Sequence, residues 1–150
     1  MTVQVDQKMP SITVVDSNNG RVSVEQLAGG RPAVLFFMRA HTCVVCVRHA
    51  RALSAMAGEL AAKQVVPVVV VPGSARQAEH VRRRVGSTVQ VVSSDSASAH
   101  RDADLGRTLL MQHSGTFLLD GSGTVTYAKQ AAMPTGSFDR AELTAAVGRL

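Results

Sequence analysis

Six consecutive apolar residues, Ala33-Val34-Leu35-Phe36-Phe37-Met38, constrain this chain more than any other feature. Successive side chains of a strand point to opposite faces of its sheet, so an unbroken apolar run fits a strand covered on both sides. Val65 to Val71 repeats the pattern and stops at Pro72-Gly73. Between the two runs, Val47, Ala50, Leu53, Ala57 and Leu60 recur at helical spacing, which predicts one helix over 43–62. Two buried strands with a helix between them predict a mixed sheet with helices on both sides, an α/β class.

The remaining elements fit that frame. Ser11 to Val24 reads as two short strands around Asp16-Ser17-Asn18-Asn19-Gly20, followed by a helical turn over 24–28 closed by Gly29-Gly30. Ser74 caps a basic helix running to about Arg84, and Val89-Gln90-Val91-Val92 reads as a short strand. Ser96 to Leu105 is weakly helical, with Asp102 and Asp104 on its polar face. Thr116 to Leu119 and Val125 to Ala128 flank the turn Asp120-Gly121-Ser122-Gly123 as a hairpin, and Ser137 or Asp139 caps a final helix that buries Phe138, Leu143, Val147 and Leu150. At 150 residues and without an internal repeat or linker, residues 1–150 are expected to form one domain.

Composition excludes several roles. No apolar run approaches the roughly 18 residues that span a bilayer, and Met1 to Pro10 lacks the apolar stretch of a secretory signal. A cytoplasmic location without membrane attachment is the resulting expectation. The net charge of +5 is mostly arginine, densest at Arg82-Arg83-Arg84. Aromatic residues are only 3% of the chain, leaving almost nothing for bases to stack on, so a solvated helix face is expected there rather than a nucleic-acid site.

The two cysteines are Cys43 and Cys46, just past the first buried strand and opening the next helix. Free amide N–H groups and the positive end of the helix dipole favour a thiolate at that position. Arg39, His41, Arg48 and His49 add charge, or potential charge, on either side. One sulfur of such a pair attacks an oxidised substrate and the other resolves the intermediate as a disulfide. The pair is therefore expected to be a redox-active centre, with a partly exposed attacking cysteine. His41-x-Cys43-x-x-Cys46-x-x-His49 also contains residue types that bind zinc, but four ligands in one helical turn and its entry do not match the two separated pairs of a structural site. Covalent haem would need histidine after the second cysteine, where Val47 stands. No cofactor or metal is expected.

Four segments carry a family likeness. Met9-Pro10-Ser11-Ile12-Thr13-Val14, Gly20 to Leu27, Arg31-Pro32-Ala33-Val34-Leu35-Phe36-Phe37 and Gly115 to Gly123 resemble the opening strand, the "G-x-x-V-S-L-x-x-L" segment, the strand before the active site and the later "T-F-I-I-D-x-x-G" hairpin of peroxiredoxin-like redoxins, the alkyl hydroperoxide reductase and thiol-specific antioxidant family. That resemblance implies a thioredoxin-like three-layer fold with an added N-terminal β-hairpin. It also implies a thiol-dependent antioxidant oxidoreductase.

Departures from the family pattern leave two assignments open. Laid on the peroxiredoxin motif P-x-x-x-T-x-x-C, Cys46 takes the peroxide-attacking position, Cys43 replaces the threonine and Arg39 the proline; Ser114 stands where the family has an arginine. Laid on the thioredoxin motif, Cys43 attacks and Cys46 resolves, with His113-Ser114-Gly115 in place of the proline that faces the pair. His41-Thr42-Cys43-x-x-Cys46 is similar to redoxins whose working cycle is dithiol to disulfide. Cys43 and Cys46 are thus the expected catalytic residues, supported by Arg39, His41, Thr42 and His113. The expected partners are a thiol reductant, either a thioredoxin-like protein or a low-molecular-weight thiol, and a disulfide or hydroperoxide substrate. The alternative is a redox-sensing or binding module switched by the same pair. Oligomeric state is not legible.

Overall fold

A computed structural model describes residues 3–95, 97–108 and 111–150 of the chain. Its centre is the apolar run that begins at Ala33: strand β3 (Ala33–Phe37) is buried at every position. The strands before it are β1 (Thr13–Val15) and β2 (Arg21–Ser23), and those after it are β4 (Val66–Val71), β5 (Gln90–Ser93), β6 (Arg107–Thr108), β7 (Met111–Gln112), β8 (Ser114–Leu119) and β9 (Val125–Ala131). Seven of these make one sheet in the order β2-β1-β5-β4-β3-β8-β9, while β6 and β7 pair separately. Strands β3, β4 and β5 run parallel and the outer pairings are antiparallel, which confirms the mixed sheet and the N-terminal hairpin.

Alternation along the strands divides the core in two. Val34, Phe36, Val69, Val71, Val91 and Leu118 face one layer of helices, α2 (Val44–Ala55), α3 (Ala57–Ala62), α4 (Ala75–Val85) and α6 (Arg140–Gly148). Ala33, Leu35, Phe37, Val68, Val70, Val92 and Phe117 face the other side, where α1 (Val24–Ala28) and α5 (Ser98–Asp102) lie. Three layers follow directly from this period of two. No helix among the described residues is long and apolar enough to cross a membrane.

Local signals account for most boundaries. Ser23 and Ser74 each form a capping box with the glutamine three residues on, and Asp139 caps α6 by accepting the Glu142 N–H. Gly29 ends α1 in the left-handed conformation, at φ 60°, where a side chain would be strained.

Three expectations require correction. The helix predicted over 43–62 is two helices, because Met56 turns into the core at 1% exposure and its N–H bonds to Leu53 O, three residues back, instead of continuing the ladder. Arg82 is not part of a solvated face: its guanidinium binds Glu79 and Val91 O, fastening α4 to β5. The weak helix after β5 is confined to five residues, with Asp104 beyond its end; Ser96 falls outside the described residues.

Candidate active site

The Cys43–Cys46 pair sits beyond the carboxyl end of β3, where a short turn holds it against the sheet. Cys43 N–H donates to Ala40 O at 3.1 Å, and Cys43 then serves as the N-cap of α2. Its Sγ accepts the Cys46 N–H at 3.2 Å, the bond a serine or aspartate makes at an ordinary N-cap. Cys46 lies one turn into the helix, and its Sγ accepts the Arg39 N–H at 3.3 Å.

Neither sulfur is exposed as expected. Cys43 is 4% accessible and Cys46 is fully buried, both as free thiols, because α2 lays its first turn on the Val34, Phe36 and Met38 face of β3. Val44, by contrast, which follows Cys43 in the chain, is 60% exposed. The environments of the two sulfurs differ. Burial, and then the hydrogen bond its thiol makes to Cys43, push the Cys46 thiol up to about 12 from an ordinary 9.0, against a smaller opposing pull from the Arg39 and Ala40 amides. Cys46 therefore holds its proton at neutral pH.

The other residues expected to support the pair are dispersed around it. Arg39 and His41 are half-buried and Thr42 exposed, all in the turn between β3 and α2. The Arg39 Nε is buried and has no hydrogen-bond partner among the described residues. His113 immediately precedes β8, whose first residues lie beside the end of β3 with Gly115 opposite Phe37. Ser114, where the family pattern has arginine, is fully buried and donates to Phe37 O at 2.6 Å. His49 points away from the pair, with its Nε2 3.0 Å from Pro134 O and its ring against Phe36 and Phe138. Among the described residues, no three His, Cys, Asp or Glu side chains converge to hold a metal.

A buried polar pair at this end of the sheet belongs to no sequence motif. His100, on α5, is fully buried with Nε2 2.8 Å from Met38 O and Nδ1 2.9 Å from Ser94 Oγ. A carbonyl oxygen only accepts, so Nε2 carries the proton and Nδ1 accepts the Ser94 hydroxyl. Burial lowers the imidazole to about 4 from 6.5, with the Met38 bond acting in the opposite direction. The clue in the sequence was slight: one histidine beside Ala99 in a weakly amphipathic stretch.

That shift has a consequence for acid stability. At pH above 6.5 the folded and unfolded chains both hold His100 neutral. Between 6.5 and about 4 only the unfolded chain takes up the proton, so stability falls as pH falls through this window, by up to about 3 kcal/mol. Denaturant titrations at pH 7 and pH 4 measure the fall, and His100→Gln is expected to remove most of this histidine's share.

Known proteins resemble this chain at two levels. The sequence pattern of the AhpC/TSA family matches residues 5–128. No curated protein sequence matches. Among solved structures, peroxidoxin BcpB from Mycobacterium tuberculosis superposes with a TM-score of 0.83 at 18% identity, covering 99% of this chain and 98% of its own. A peroxiredoxin-like protein from Aquifex aeolicus gives 0.82 at 16% identity, over 99% and 88% of the two chains. A secreted Mycobacterium tuberculosis disulfide oxidoreductase, homologous to E. coli DsbE, gives 0.68 at 18%, over 92% and 95%. At such identities the superpositions establish the thioredoxin-like fold. The match over 5–128 establishes the family: the chain belongs to AhpC/TSA and is a thiol-dependent oxidoreductase.

Proposed function

We propose that this AhpC/TSA member cycles between a Cys43/Cys46 dithiol and disulfide, with Cys43 as the attacking sulfur and Cys46 as the resolving one. The observation that supports this order is Cys43 Sγ at the N-cap of α2, receiving the Cys46 amide at 3.2 Å. An anion there is held by that amide and by the helix dipole. Cys46 is deeper and retains its proton, as suits a group that acts second.

The substrate we favour is a hydroperoxide. The Cys43 thiolate attacks the outer peroxide oxygen, the O–O bond breaks, and an alcohol leaves after taking a proton, with Cys43 as sulfenic acid. Cys46 then attacks the Cys43 sulfur after losing its proton; the S–S bond forms and water departs. A thioredoxin-like dithiol protein or a low-molecular-weight thiol supplies two electrons to reopen the pair. Cys43 and Ser114, in place of the threonine and arginine that orient peroxide in the family pattern, favour a second substrate class, a disulfide, through the same attacking sulfur. Arg39, His41, Thr42 and His113 form the polar rim of the site in this reading, and the reducing cytosol is where the dithiol persists.

Single-cysteine variants test the order. At pH 8, Cys46→Ser, which keeps Cys43, is expected to react with iodoacetamide roughly 10- to 100-fold faster than Cys43→Ser, which keeps Cys46. Removing Cys43 takes away part of what holds the Cys46 proton, but burial is the larger cause and remains. Equal rates, or a faster Cys43→Ser, would reverse the roles.

A further inference from the structure

Just past the end of β3 the Met38–Arg39 peptide group is gripped from both sides. The carbonyl of Met38 accepts from His100 Nε2 at 2.8 Å, and the N–H of Arg39, the other end of the same peptide, donates to Cys46 Sγ at 3.3 Å. In a trans peptide the C=O and N–H point in opposite directions within one rigid plane, so the imidazole and the sulfur lie at its two opposite edges. Behind the imidazole, Ser94 Oγ donates to Nδ1 while accepting the Ala99 and His100 amides at 3.0 and 3.3 Å. Ser94 is itself tied to β4 through its N–H to Val71 O at 2.8 Å. The line Ser94–His100–Met38/Arg39–Cys46 thus runs from the end of β5 through α5, under one face of the sheet, to the resolving sulfur on the other.

We infer that His100 is a positioning residue for the thiol chemistry, acting on Cys46 through the Met38–Arg39 peptide. Two effects follow from the geometry. Holding the carbonyl fixes the tilt of the peptide plane, and with it the direction of the Arg39 N–H. A donor on the carbonyl oxygen also draws electron density toward it and strengthens the N–H at the far end, since hydrogen bonds in series polarise one another. A stronger Arg39 donor favours the thiolate of Cys46, the form that closes the disulfide. His100 is neutral and fully buried, so it supplies this bond without exchanging a proton with the sulfur. The inference rests on Cys46 being the resolving thiol.

Nitrogen NMR of the imidazole gives the first test. A protonated Nε2 and bare Nδ1 at neutral pH are expected; a protonated Nδ1 overturns the inference without any variant. Two substitutions then separate positioning from packing. His100→Met is close in volume but has no donor, whereas His100→Gln carries a side-chain amide able to donate to Met38 O. In His100→Met the Arg39 amide proton is expected to move upfield, and Cys46 alkylation in a Cys43→Ser background to slow roughly three- to tenfold. His100→Gln is expected to recover both, with Cys43 alkylation in a Cys46→Ser background unchanged throughout. Indistinguishable Met and Gln variants, or an unmoved Arg39 amide in folded His100→Met, overturn the inference. Should His100→Met not fold, Ser94→Ala keeps the imidazole and weakens its donor; a smaller upfield shift supports the inference and none overturns it. Faster alkylation at Cys46 than at Cys43 would instead refute the order of the cysteines, while leaving the Arg39 amide result standing on its own.

Discussion

Cys43→Ser is expected to abolish turnover, lowering hydroperoxide consumption by roughly 10³-fold or more, as loss of a nucleophile does elsewhere. A serine hydroxyl at the N-cap keeps the hydrogen bond to the Cys46 amide and so keeps α2 in place. Its loss is therefore chemical rather than structural, and the melting temperature should change little. Cys46→Ser behaves differently. It should consume one equivalent of oxidant at a near-native rate and then stall, because the oxidised Cys43 has no neighbour to close upon. Rapid mixing with one equivalent of hydroperoxide, followed by mass spectrometry, reads both outcomes. With a disulfide substrate, the stalled species is a mixed disulfide on Cys43. First-turnover consumption that survives in Cys43→Ser and vanishes in Cys46→Ser would transfer the attacking role to Cys46.

Phe36→Ala is expected to give the largest loss of stability, about 3–5 kcal/mol. Phe36 is fully buried on β3, edge-on to Phe138 at 5.6 Å and to His49 at 5.9 Å between ring centres. It thereby joins the sheet to α2 and to the segment leading into α6. The two ring neighbours belong to different segments and cannot both collapse into the space, so a cavity adds to the lost burial. A domain of this length carries about 5–15 kcal/mol in all, and the melting temperature should fall by roughly 10 °C. Val44→Ala is the matching control, at 60% exposure, and should shift stability by no more than about 0.5 kcal/mol. Calorimetry of the two variants checks the contrast; a Phe36→Ala protein as stable as Val44→Ala would mean the core repacks around the gap.

The order of the elements, the doubly covered central strand and the place of the cysteine pair are all legible in the residues alone. Those are local matters of period, caps and turns: the unbroken run from Ala33, the serines at 23 and 74, and the thiols opening a helix after a strand. How deep each sulfur lies is set by tertiary packing, and the proposed order of the two thiols draws on that depth. Depth depends on how α2 settles on Phe36 and Met38, contacts between residues far apart in the chain that no local period encodes. The same holds for the break at Met56, where burial of one side chain overrides a helical pattern, and for Arg82, drawn to a carbonyl of β5. His100 is the clearest case. Sixty-two positions separate it from Met38, and its bond exists because a buried carbonyl at a strand end requires a donor that only the folded chain can bring.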